Sequence, residues 1–251
     1  MQVPVRSPSS DASGPSPDRT GEWFVPRFGP RAFRVAVGLL FLPYTGMVLA
    51  FTVMGAMLAP TVHWDRVVAL LAIYALALGV AAHALDALGS RASKPWGEAL
   101  SRRALLAVAI AALVLAYAIG IWYMQLYAPW LWPIAIAEGL FLLAYNLEWF
   151  GGRFHTDAWF ALSWGALPAL AGYVLQTNAV SVAALVLAAA TAALSLVEIK
   201  ASRPYKALRA AGVILSADTT RMARALELVL KSVSIGVMLA AVAWALARAG
   251  W

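Results

Sequence analysis

Long apolar stretches separated by short polar joints dominate the chain. They lie near residues 33–59, 65–89, 104–125, 130–149, 157–176, 180–200 and 222–247. Each reaches the length of about 20 apolar residues that a helix needs to cross a bilayer. Runs rich in Ala and Leu lack the two-residue alternation of a membrane barrel strand, and backbone polar groups cannot go unpaired in hydrocarbon. The pattern therefore predicts an all-α fold, a polytopic transmembrane helical bundle of about seven helices. Pro43 and Pro168 fall inside two of the windows and are expected to kink them.

Residues 1–22 have a different character. They are rich in Ser, Pro, Gly and Asp, with too little apolar surface to offset the entropy of ordering, so they read as a disordered tail before a single membrane domain at 23–251. The tail has no apolar core and cleavage site of a signal peptide, so the first span is expected to remain in the mature chain.

Composition sharpens this picture. Of the 251 residues 63% are apolar and 12% charged, about half the charged fraction of a soluble domain. With no cysteine, a disulfide framework and a thiolate metal site are excluded. The formal net charge is +7, but the excess sits in short segments beside apolar spans, where it sets topology and attracts anionic lipid rather than nucleic acid. Arg27, Arg31 and Arg34 precede or open the first window; Arg91, Lys94, Arg102 and Arg103 follow the second; Lys200, Arg203, Lys206, Arg209 and Arg221 follow the sixth. The joints near 126–129 and 177–179 carry no Lys or Arg. The positive-inside rule then places the N-terminus in the cytoplasm and, with seven crossings, the C-terminus outside.

That topology gathers the ionisable residues. His83, Asp86, Glu148, His155, Asp157 and Glu198 all come to the same membrane face. A carboxylate near hydrocarbon depth is costly unless it is paired, protonated, metal-bound or hydrated. His83 and Asp86, at i,i+3, share a helical face and would meet one ligand or each other; Glu198 and Ser202, at i,i+4, do likewise. Glu138 is the acid set deepest in a window, either lining a hydrated pocket or bonding a tyrosine or the backbone. Trp122, Tyr123, Tyr127, Trp130 and Trp132 read as an interfacial aromatic belt. The polar segment 201–221 is expected to form an amphipathic or partly helical cap at the charged face.

Two short segments suggest an internal duplication: Leu42-Pro43-Tyr44-Thr45-Gly46 resembles Leu167-Pro168-Ala169-Leu170-Ala171-Gly172, and Asp86 closes the second window as Glu198 closes the sixth. The segments Ala144-Tyr145-Asn146, Gly151-Gly152-Arg153, Trp164-Gly165-Ala166-Leu167-Pro168 and Gly172-Tyr173-Val174-Leu175-Gln176-Thr177, with the order of helices and the acids that end them, resemble the UbiA superfamily of intramembrane prenyltransferases over roughly residues 30–210. The resemblance implies a UbiA-like pseudo-repeat, and transfer or processing of an isoprenoid diphosphate on a lipid-soluble acceptor drawn from the membrane lipid. Two Asp-rich motifs hold Mg²⁺ in that family. Here the first reads Ala82-His83-Ala84-Leu85-Asp86-Ala87-Leu88-Gly89-Ser90 and the second Glu198-Ile199-Lys200-Ala201-Ser202, each retaining one acid.

The resemblance makes Asp86 and Glu198 the metal ligands and, with Tyr145, the catalytic residues. His83, Arg91, Lys94, Arg153, Arg203 and Lys206 become the substrate-binding set. Two other readings stay open on the same residues: a non-catalytic relative that binds an isoprenoid or other lipid, and a transporter using His83, Asp86 and Glu138.

Overall fold

A computed structural model describes residues 21–89, 101–210 and 216–251. Almost all of the tail, Arg91 and Lys94 lie outside the described residues. Among the described residues the chain is helical and has no strand. We number the helices α1 (Arg31–Leu39), α2 (Leu42–Met57), α3 (Trp64–Leu88), α4 (Arg102–Leu126), α5 (Trp132–Asn146), α6 (Asp157–Thr177), α7 (Val182–Ala210) and α8 (Ala217–Ala249). Five of these, α3, α4, α6, α7 and α8, are long and apolar enough to cross a membrane, and the α1–α2 pair, bent by 40°, makes a sixth if it forms one broken span. Their outward faces expose Val108, Ile110, Val114, Leu185, Val186, Leu239 and Val242. That apolar exterior suits lipid rather than water.

The polar side chains within the spans mostly satisfy themselves. Thr52, Ser163, Thr191 and Ser234 return their hydroxyls to the carbonyls of Val48, Trp159, Leu187 and Leu230, and Asn146 donates to that of Leu142. These i−4 bonds remove the cost of a bare polar group in hydrocarbon. Three helix starts carry side-chain caps: Ser101, Thr156 and Ser216 accept from the amides of Ala104, Trp159 and Thr219.

The first expected kink is present, with a local cause. Phe41 takes a left-handed conformation, φ 44°, between α1 and α2, and Pro43 occupies the first turn of α2, where its missing N–H is harmless. The carbonyl of Leu40 at the break accepts the Thr45 hydroxyl at 2.6 Å. Pro168 likewise sits in the first turn that follows a π-helical segment, Leu162–Ala166.

The window at 130–149 yields less helix than expected. α5 holds 15 residues, about 22 Å at 1.5 Å per residue, short of a bilayer core of about 30 Å. A 3₁₀ turn, Pro129–Leu131, precedes it. Asn146 folding back on its own helix and Glu148 at φ 51° end it. The segment after the sixth window, expected as an amphipathic or partly helical cap, is helical over its first half, where α7 continues through Pro204 to Ala210 as an extension of a span; residues 211–215 of it lie outside the described residues.

The helices run alternately between two ends of the bundle. At one end Arg66 donates to the carbonyls of Leu175 and Gln176 at the end of α6, and Arg248 to those of Ala59 and Pro60 just beyond α2. Among the described residues these two are the basic side chains of that end, and both cap helix C-termini, where a cation is favoured. At the opposite, charged end, residues 21–30 run beneath the bundle. Trp23 packs near Tyr205 and Leu230, Phe24 lies 5.2 Å from Phe41 between ring centroids, and the Gly21 carbonyl accepts from Arg209.

Candidate functional site

A cavity of about 350 Å³ opens at the charged end. It is built where α3, α5 and α7 end and where α2 and α6 begin. α7 presents a stripe at Ile199, Arg203 and Lys206, spaced i, i+4, i+7 on one face. α5 contributes Tyr145 and Asn146, and the start of α6 contributes Phe160 and Trp164.

α3 reaches the cavity through His83 and Asp86. Its middle, Ala75–Ala82, is π-helical. The wider turn of about 4.4 residues carries the face of Tyr74 and Leu78 round to position 83, where an α-helix, with its 3.6-residue turn, leads it to 81 or 82. The His83 Nδ1 sits 2.9 Å from the Gly79 carbonyl.

The walls are aromatic. His83 stacks on Phe41 at 5.0 Å and contacts Trp164 at 5.4 Å; Phe160 stacks on Trp164 at 5.4 Å; Tyr145 stacks on His155 at 4.3 Å. Tyr44 meets Phe160 and Trp164 edge-on. Lys206 Nζ stands 5.0 Å from the Phe41 ring and 5.3 Å from that of Tyr44, within cation–π range. Arg203 is held by Asp157, Nε to Oδ1 at 2.9 Å, and lies beside the Tyr145 hydroxyl. Asp157 also pairs with Lys200 at 2.7 Å.

The sequence-based set thus divides. Asp86, Tyr145, His83, Arg203 and Lys206 meet around one cavity, while Arg153 is exposed and does not line it. Glu198 is buried but faces elsewhere. It lines a neighbouring recess with Ser202, Tyr205 and Lys206, a stripe offset by one residue, or about 100°, from the cavity stripe of α7. The cavity and the recess share Phe41, Tyr44 and Lys206 as their common wall. The pairing of Asp86 with Glu198 around one metal is therefore not what the helix register presents.

Among the described residues, no group of three or more His, Asp or Glu side chains is placed to hold a metal ion. Among the described residues the cavity offers one carboxylate, two imidazoles, an amide, two phenol hydroxyls and two cations. Mg²⁺ demands oxygen donors in near-octahedral order, so this donor set does not fit a protein-held Mg²⁺; it fits an anion.

Sequence reasoning passed over Phe41, Tyr44, Phe160 and Trp164 as site residues. Tyr44 lies in a segment that suggests the internal duplication and Trp164 in one that carries the family resemblance, and both sit four or fewer residues from a span's proline. That proximity was the available signal. No protein-family model matches the chain, and neither a curated protein nor a solved structure does.

Proposed function

We propose that the cavity receives the anionic head of an isoprenoid diphosphate and that the chain transfers the prenyl group to a lipid-soluble acceptor. The observation that carries this reading is the convergence of Arg203 and Lys206 with an aromatic-walled cavity at the end of a membrane bundle. Two cations give charge-assisted hydrogen bonds to phosphate oxygens, and the rings offer apolar surface to the first isoprene units. Departure of diphosphate breaks the allylic C–O bond and leaves the electron pair on oxygen, where Arg203 and Lys206 stabilise the added charge. The allylic carbon, now electron-poor, faces Tyr145 and Trp164, whose ring faces favour positive charge. The acceptor carbon supplies the new C–C bond and gives its proton to Asp86. The two Leu-Pro segments each follow a local irregularity inside a span, the left-handed Phe41 in one and the π-helical Leu162–Ala166 in the other, a parallel that supports the internal duplication this family reading carries.

The test uses the full chain in liposomes with radiolabelled farnesyl diphosphate and, as acceptor, the native membrane lipid extract, with and without Mg²⁺. Arg203→Gln and Lys206→Gln are each expected to weaken binding tenfold or more, since a hydrogen bond to a charged group contributes about 1.5–3 kcal/mol. Absence of farnesyl diphosphate binding to the unsubstituted chain defeats the proposal. Tight binding without release of diphosphate defeats the catalytic part and assigns a non-catalytic isoprenoid-binding protein, a reading that the single cavity carboxylate favours.

A further inference from the structure

Glu138 lies on α5 seven residues before Tyr145, about 10 Å farther into the bundle. Its Oε1 accepts the Tyr74 hydroxyl at 3.1 Å. Its Oε2 is buried and has no hydrogen-bond partner among the described residues, in contrast to the self-satisfied Ser and Thr side chains of the spans. A carboxyl oxygen left bare at this depth is costly, which makes it a sign of something that binds there.

The space beside it is a cleft of about 70 Å³ between α3, α4 and α5, with otherwise apolar walls such as Leu70, Leu113 and Leu142. The other polar groups of that cleft are the hydroxyls of Tyr74 and Tyr117. Gly139, next to Glu138, leaves room for Tyr117: a methyl placed on Gly139 runs into the Tyr117 hydroxyl. α4 and α5 scarcely touch along their lengths, and Tyr117 is 40% exposed. The cleft is thus reached sideways, from the bilayer.

We propose that this cleft binds a neutral hydroxyl-bearing lipid that enters between α4 and α5 and places its hydroxyl on Glu138 Oε2. A hydroxyl is the group the site selects because it both donates and accepts: it donates to a carboxylate and accepts from a carboxylic acid. A volume of about 70 Å³ takes the hydroxyl and the first few carbons, and the remaining chain stays in the bilayer. The site is independent of the diphosphate reading, since the cleft and the cavity have no lining residue in common.

The probe pair is farnesol and farnesene, the same chain with and without the hydroxyl, measured by binding to the full chain in nanodiscs. The unsubstituted protein is expected to bind farnesol at least tenfold more tightly. Glu138→Leu is expected to erase that preference while leaving farnesyl diphosphate binding intact, and Arg203→Gln to leave the preference unchanged. Where Glu138→Leu does not fold, Glu138→Met, of similar length and with no strong hydrogen-bonding group, serves, cutting the preference at least threefold. Equal binding of the two probes to the unsubstituted protein overturns the proposal, as does a preference that survives these substitutions. A Glu138→Leu protein that folds but has lost farnesyl diphosphate binding overturns the separation of the two sites.

Discussion

Gly55 and Gly172 set how closely α2 and α6 approach. A methyl on Gly172 collides with the Thr52 carbonyl and comes within 2.9 Å of the Ala56 nitrogen, and one on Gly55 collides with the Ala169 carbonyl. The obstacles are backbone atoms, which cannot swing aside as a flexible side chain can. Small residues at such crossings are what allows membrane helices to gain packing contact without a hydrophobic drive between them. Gly172→Ala is expected to lower stability by about 1–3 kcal/mol, the usual cost of overpacking. Gly55→Ala should do the same, and the double substitution should cost less than the sum, because both open one interface. Gly236 on α8 has nothing near its would-be methyl, so Gly236→Ala is expected to be neutral or to stabilise by up to about 1 kcal/mol through helix propensity. Thermal unfolding in detergent measures all four; a Gly236→Ala loss as large as that of Gly172→Ala would remove close approach as the explanation.

Helices decide which side chains reach the site, and here the amino-acid pattern and the fold agree at one level and part at another. Apolar windows locate the spans, and the polar clusters at 83–86, 145–157 and 198–206 mark the helix ends that converge. A window has no phase, however. On α7 the face toward the cavity is Ile199–Arg203–Lys206 and not Glu198–Ser202, because acidity alone does not reveal which side of a helix meets its neighbours. The π-helical stretch that turns His83 inward has no cue in the Ala-, Leu- and Gly-rich segment Ala75–Ala82. The junction of α6 and α7 is a case where charge does locate a contact. Asp157, in the first turn of α6, pairs with Lys200 and Arg203, whose side chains are 67% and 46% exposed. Solvent screens such pairs, so Asp157→Asn is expected to cost about 1 kcal/mol or less. The same substitution should strengthen farnesyl diphosphate binding severalfold, as Arg203 no longer shares its charge with a carboxylate. Unfolding and binding curves at low and high salt check both; a stability loss above about 3 kcal/mol would show a buried, desolvated pair instead.

For the whole molecule the open quantity is how many times the chain crosses the bilayer, and α5 decides it. With 15 helical residues it is shorter than the hydrocarbon core, yet it runs between the two ends of the bundle: Trp130 at its start bonds Asn178 beyond α6, and Tyr145 near its end lines the cavity. The 3₁₀ turn before it, and local thinning of the bilayer, make up the missing length. Six crossings, α3 to α8, then separate Thr61 from Trp251 and return the chain to the same side, whereas an α5 that fails to cross leaves five and puts those residues on opposite sides. The absence of cysteine makes single introduced cysteines clean reporters. Thr61→Cys and Trp251→Cys should react with a membrane-impermeant maleimide from one face, and Arg102→Cys and Asp218→Cys from the other. The basic end should be cytoplasmic, because Arg66 and Arg248 at the opposite end are spent on helix carbonyls while the remaining described cations, save Lys231 within α8, crowd the charged end. Thr61→Cys and Trp251→Cys reacting from opposite faces would make α5 a re-entrant segment and leave Tyr145 hanging from a hairpin rather than from a span.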